Sequence, residues 1–153
     1  MIIVMQCIIR YAIAQIEDID ITLSTLGLLF LILATVLIAA GGYVINDIYD
    51  VVADKINKAK KRIVGISVDE KQAKLIYFTL TFTGLGLGFI LTNLMAHPIY
   101  FIYFLLSAGS LYLYARFIKK YAFIGNLLVS ILVGLSVILV PLFELVFIAG
   151  TSS

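Results

Sequence analysis

Asn46, Asp47, Asp50 and Asp54 bring four oxygen-bearing side chains into one short stretch, where the apolar run from Ile21 to Ile45 meets a cluster of lysines. On a helix turning about 100° per residue, the three aspartates fall at roughly 0°, −60° and −20° and share one face. Asn46 stands four residues before Asp50, so its amide can join the edge of that face. Three carboxylates on one face at a membrane surface concentrate like charge, which is costly unless a cation sits among them. Hard divalent ions prefer oxygen ligands, and Mg²⁺ takes one or two protein carboxylates and fills its remaining positions with water and phosphate oxygens. Lys58, Lys60, Lys61, Arg62, Lys119 and Lys120 are then available to neutralise the rest of the phosphate charge. The pattern suits a metal-bridged diphosphate. Spacing alone suits equally a helix exit capped by solvated acids held in Asp–Lys pairs. An EF-hand is excluded, because no D-x-D-x-D-G loop and no closing glutamate are present. An ion pathway would string acids along a pore, whereas these cluster at an interface.

The elements that must position this face are membrane helices. Of the 153 residues, 63% are hydrophobic and 13% charged, and the mean hydropathy is +1.14, far from a soluble domain. Four apolar stretches, 21–46, 73–96, 98–115 and 122–148, approach or exceed the roughly 20 residues that cross a bilayer. In lipid the backbone must satisfy itself, so these runs are helices. Residues 1–16 are apolar but short and contain Arg10; they read as a partial first helix and lack the features of a signal peptide. The expected fold is an all-α, polytopic membrane helix bundle of about four full transmembrane helices plus that partial one, forming a single domain over residues 1–150.

Seven of the eleven Lys and Arg fall in the 55–74 loop and three at Arg116, Lys119 and Lys120. With alternating spans both basic loops lie on one side, which the positive-inside rule makes cytoplasmic. The chain is thus expected to be an integral, multi-pass protein of the cell membrane whose aspartate face opens to the cytoplasm. Arg10 is expected to snorkel to the opposite interface near Glu17 and Asp18, and His97, in a turn beside Pro98, reads as a surface residue. Gly41, Gly42, Gly84, Gly86 and Gly88 read as close-packing positions between helices. Pro98 starts a span, and Pro141 lies within the last one. The single Cys7 can form no intrachain disulfide.

Asn46, Asp47, Asp50 and Asp54 resemble the first aspartate-rich motif, N-D-x-x-D-x-x-x-D, of the UbiA-type intramembrane prenyltransferases. Asn57, Lys58, Ile63, Val64 and Gly65 fit the segment that comes next in that family, although Ala59 stands where proline is usual and Lys61-Arg62 replace the usual arginine region. Tyr114 to Asn126 is similar to the family's tyrosine and basic loop followed by Gly-Asn at the start of the fifth helix. The stretches around Ile56-Asn57-Lys58, Ile63-Val64-Gly65 and Phe143-Glu144-Leu145 look most like the branch that transfers geranylgeranyl to geranylgeranylglyceryl phosphate.

The resemblance implies Mg²⁺-dependent transfer of a prenyl group from a polyprenyl diphosphate to an acceptor within the membrane. It implies Asp47, Asp50 and Asp54 as catalytic residues and Asn46 with the three aspartates as metal ligands. Asn46, Lys58, Lys61, Arg62, Lys119 and Lys120 would bind the diphosphate. Tyr43, Tyr49, Tyr112 and Tyr114 are placed to offer ring faces to an allylic cation, or to serve packing and the interfacial belt. The family's second aspartate-rich motif has no counterpart here, since after Glu70 the sequence holds one acid, Glu144. The chain therefore resembles the first half of such an enzyme and is expected to be inactive alone, completed by a second polypeptide or by more of a longer gene. The alternative expectation is a non-catalytic membrane scaffold or isoprenoid-lipid-binding remnant.

Overall fold

Apolar runs become helices, and the breaks between them fall at polar or proline-bearing turns. The computed structural model describes the backbone of residues 1–15, 23–57, 63–65, 67–119 and 122–151, and the side chains of these except 52–57, 122–126 and 144–151. The helices are α1 (Ile2–Ala14), α2 (Thr25–Asn57), α3 (Glu70–Leu94), α4 (Phe101–Leu113) and α5 (Ala122–Thr151). A short 3-10 turn, Pro98–Tyr100, leads into α4, and a π-helical turn, Tyr114–Ile118, closes it. Among the described residues, Thr25–Val51, Glu70–Leu94 and Pro98–Ile118 are long and apolar enough to cross a membrane, while Ile2–Ala14 and Leu127–Phe143 are shorter apolar segments. The all-helical bundle, its short first helix and its integral membrane character match the sequence reading.

The first of these spans is 39% buried against 28% and 11% for the other two, so α2 is the central helix. It packs antiparallel on α3: a Cβ at Gly41 would meet Thr81, and one at Gly84 would stand 2.9 Å from Ile38 Cγ1 and 3.0 Å from the Ala34 carbonyl. Helices that approach this closely need small residues at the crossing. Gly86 departs from the sequence expectation, since no neighbour lies within 4 Å of a Cβ built there. It occupies the outward face of α3.

The start of α3 is fixed by local chemistry. The Asp69 side chain accepts from the Lys71 amide and Gln72 answers on the Asp69 amide, a capping box. Just before it, Gly65 takes φ +83°, a left-handed conformation that suits glycine. Its amide donates to the Val68 carbonyl at 2.8 Å and its neighbour Val64 is buried, so the return from the basic loop is anchored on the bundle. Pro98 opens the 3-10 turn, the position where its missing N–H costs nothing.

Leu31, Ala34 and Ile38 of α2, Leu91 of α3, Phe104 of α4 and Val140 of α5 form the buried centre. Large apolar groups face outward elsewhere, with Phe82 66% and Leu94 68% exposed. Lipid solvates such a surface.

Candidate functional site

The N-D-x-x-D stretch lies on the last turns of the apolar part of α2, and the helix brings Asn46 and Asp50 together as an i, i+4 pair. Asn46 Nδ2 donates to Asp50 Oδ2 at 2.9 Å. Lys119 Nζ reaches the other oxygen of the same carboxylate, Oδ1, at 2.6 Å, and lies 3.5 Å from the Asn46 main-chain carbonyl. The side chains of Lys119 and Asp50 are 23% and 28% exposed, so the pair is screened less than one in open water.

Lys119 gets there because α4 does not continue as a plain α-helix. The Lys119 amide donates to the Tyr114 carbonyl at 3.0 Å, five residues back, and Ala115 inside the turn is fully buried. An extra residue in a helical turn rotates the residues beyond it by about 100°. The π-turn carries the ammonium group to α2.

The Asn46 amide nitrogen is committed to Asp50. Asn46 Oδ1 is buried and has no hydrogen-bond partner among the described residues, although an orphaned buried acceptor is costly. Asn46 lines a cavity of about 280 Å³, and Tyr43 and Tyr114 stand at the same end. Thr35, Phe104 and Ser136 line the other end. From Asn46 to Thr35 is eleven residues of α2, about 16 Å at 1.5 Å per residue. The walls between are mostly apolar. A cavity of this shape, with one orphaned acceptor and a charged pair at its head, fits a ligand with a polar head and a long apolar tail.

The residues fit a hard divalent cation in donor type. Asn46 Oδ1 is an unused neutral oxygen, and each Asp50 oxygen keeps a lone pair beyond the bond it makes here. Asp47 is exposed one position along the helix. No group of three or more acid, histidine or cysteine side chains is gathered among the described residues. Asp54 lies on the α2 backbone, but its side chain is outside the described set, as are Lys58, Lys60, Lys61, Arg62 and Lys120, together with Glu17 and Asp18.

The structure divides the four tyrosines that the sequence grouped. Tyr43 and Tyr114 line the cavity. Tyr49 and Tyr112 instead pair outside it, with hydroxyls 3.2 Å apart and Arg116 donating to the Tyr112 hydroxyl at 2.8 Å. Arg10 donates to the Leu23 carbonyl at 2.6 Å. One group escaped the sequence reading altogether: Gln6 on α1, fully buried, donates to the Ser136 carbonyl at 2.8 Å. A glutamine within an apolar run was the available signal, since polar groups in membrane helices are rare and have a use.

A family model described as the UbiA prenyltransferase family matches residues 3–151. The digeranylgeranylglyceryl phosphate synthase of Saccharolobus solfataricus is 43% identical over 111 residues, which cover 72% of this chain and 38% of that protein. The synthase of the same name from Sulfurisphaera tokodaii is 38% identical over 65% of this chain and 34% of its own. That of Methanococcus maripaludis is 34% identical over 71% and 37%. The chain thus spans well under half the length of these relatives. No solved structure matches it.

Proposed function

The chain belongs to the UbiA prenyltransferase family, and from that premise we propose that it carries the donor half of a site that transfers a prenyl group from a polyprenyl diphosphate to an acceptor in the membrane. The names of its relatives favour geranylgeranyl as the group and geranylgeranylglyceryl phosphate as the acceptor. The observation that carries the reading is the buried Asn46 Oδ1, without a partner among the described residues, at the head of an apolar cavity and beside a carboxylate paired with the Lys119 ammonium.

Asn46, Asp47, Asp50 and Asp54 would hold Mg²⁺. The metal would neutralise charge that develops on the diphosphate as its bond to the allylic carbon breaks. Lys119, placed by the π-turn, donates to a diphosphate oxygen once Asp50 is engaged elsewhere, and Lys58, Lys61, Arg62 and Lys120 add charge from the basic loops. The apolar walls take the isoprenoid tail and keep water from the allylic cation, while the Tyr43 and Tyr114 rings offer it their faces. The acceptor hydroxyl then attacks that carbon and loses its proton. We place the site on the cytoplasmic side, on the count of basic residues in the adjoining loops.

The second aspartate-rich motif would come from another polypeptide or from more of a longer protein, so the chain by itself is expected to bind donor without turning over. A purified chain in nanodiscs tests this. Mg²⁺-dependent binding of geranylgeranyl diphosphate is expected, and its survival in an Asp47, Asp50, Asp54 triple alanine variant would count against the reading. The Asp50–Lys119 pair, which satisfies the carboxylate without any metal, favours one second reading, an isoprenoid-lipid-binding scaffold. That reading expects equal binding of geranylgeraniol and its diphosphate.

A further inference from the structure

We propose that the end of the cavity remote from Asn46 sets the length of isoprenoid chain that the site accepts, through Gln6, Thr35, Ser136 and Phe104; this rests on the prenyl diphosphate reading above. Gln6 is fully buried and binds two neighbouring helices. Its Nε2 donates to the Ser136 carbonyl of α5 at 2.8 Å, and its Oε1 lies 3.3 Å from the Thr35 hydroxyl of α2. That hydroxyl has one proton and two further acceptors at 2.9 Å, the Leu31 and Ile32 carbonyls. Thr35 and Ser136 line the cavity, with Gln6 tying them together from α1. An amide in apolar surroundings is costly to unpair, so a tail that pushed further would have to break these bonds. The polar cluster acts as a stop, because its hydrogen bonds are made within the protein.

Phe104 forms the rest of this end. It is 1% exposed, and its ring lies back against α3 because residue 88 is glycine: a Cβ there would stand 2.7 Å from Phe104 Cγ and 2.8 Å from Cδ2. Any side chain at that position drives the ring toward the cavity or the helices apart. The depth from Asn46 to Thr35 is about 16 Å. An isoprene unit contributes four chain bonds of about 1.5 Å, which advance about 4–5 Å when zigzagged. About three or four units fill the depth, the length of farnesyl to geranylgeranyl.

The test is equilibrium binding of geranyl, farnesyl, geranylgeranyl and geranylfarnesyl diphosphates, with Mg²⁺, to the full chain in nanodiscs. For the native chain, affinity is expected to rise about tenfold or more per unit up to geranylgeranyl and then stop rising or fall. Gln6→Ala is expected to extend the rise to geranylfarnesyl, and Gly88→Ala to end it at farnesyl. Geranyl diphosphate, too short to reach this end, should bind all three proteins within about twofold of one another. If Gln6→Ala does not fold, the native profile and Gly88→Ala decide. Continued gain beyond geranylgeranyl in the native chain, or profiles that the variants leave unchanged, overturn the inference while the proposed function stands. Failure of the native chain to bind any of the four overturns the proposed function and this inference with it.

Discussion

The cavity has a polar cluster at each end, and the two are built in opposite ways. At one end Asp50 and Lys119 carry full charges beside the neutral Asn46 amide, whose Oδ1 has no partner among the described residues. At the other, Gln6, Thr35 and Ser136 are neutral and bonded to one another or to main-chain carbonyls. Both sit among apolar helices, where an unpaired polar group is costly. On the function proposed above the difference sets their roles: a cluster with unused valence at a cavity wall is where a ligand would bind, and a closed one is wall.

The largest effect should come from the open end. Changing Asp47, Asp50 and Asp54 together to alanine is expected to weaken Mg²⁺-dependent binding of geranylgeranyl diphosphate by at least about 100-fold, since several charge-assisted contacts are lost at once. Calorimetry would show it, and a loss below about tenfold would place the diphosphate elsewhere. At the closed end, Gln6→Leu should lower stability by about 1–2 kcal/mol without touching the Mg²⁺ dependence. Thermal unfolding and metal titration on the same sample separate the two roles.

Lys119→Met sharpens the contrast further. It frees Asp50, so Mg²⁺ alone should bind several-fold tighter while diphosphate binds several-fold weaker, about 3- to 10-fold each way for a partly screened pair. Opposite signs are the diagnostic outcome; a change of the same sign in both would assign Lys119 a structural task only. The smallest effect belongs to the tyrosine pair outside the cavity. Tyr112→Phe removes the hydroxyl that joins Tyr49 and Arg116, yet donor affinity should move by less than about twofold, because this chain of contacts is exposed and lies outside the cavity that Asn46 lines.

The helices were legible because lipid leaves an apolar run of sufficient length one regular option. The i, i+4 meeting of Asn46 and Asp50 was legible too, because it lies within one helix and follows from its period. Contacts between helices were not. Nothing in the spacing of Tyr43, Tyr49, Tyr112 and Tyr114 distinguishes the two that line the cavity from the two that bind each other, since that depends on which faces of α2 and α4 meet. Lys119 was expected as a phosphate ligand, but its pairing with Asp50 needed the π-turn, a one-residue change in register with no clear signature in Tyr114–Ile118. Gln6 was passed over because its two partners lie on α2 and α5, far along the chain.

One measurement bears most directly on the open end as a donor site: binding of geranylgeranyl diphosphate and of geranylgeraniol to the purified chain in nanodiscs, each with Mg²⁺ and with chelator. A donor site should bind the diphosphate at least about 100-fold more weakly in chelator and leave the alcohol unaffected. Equal binding of both compounds under both conditions would contradict it and leave an apolar groove that holds isoprenoid tails without reading their heads.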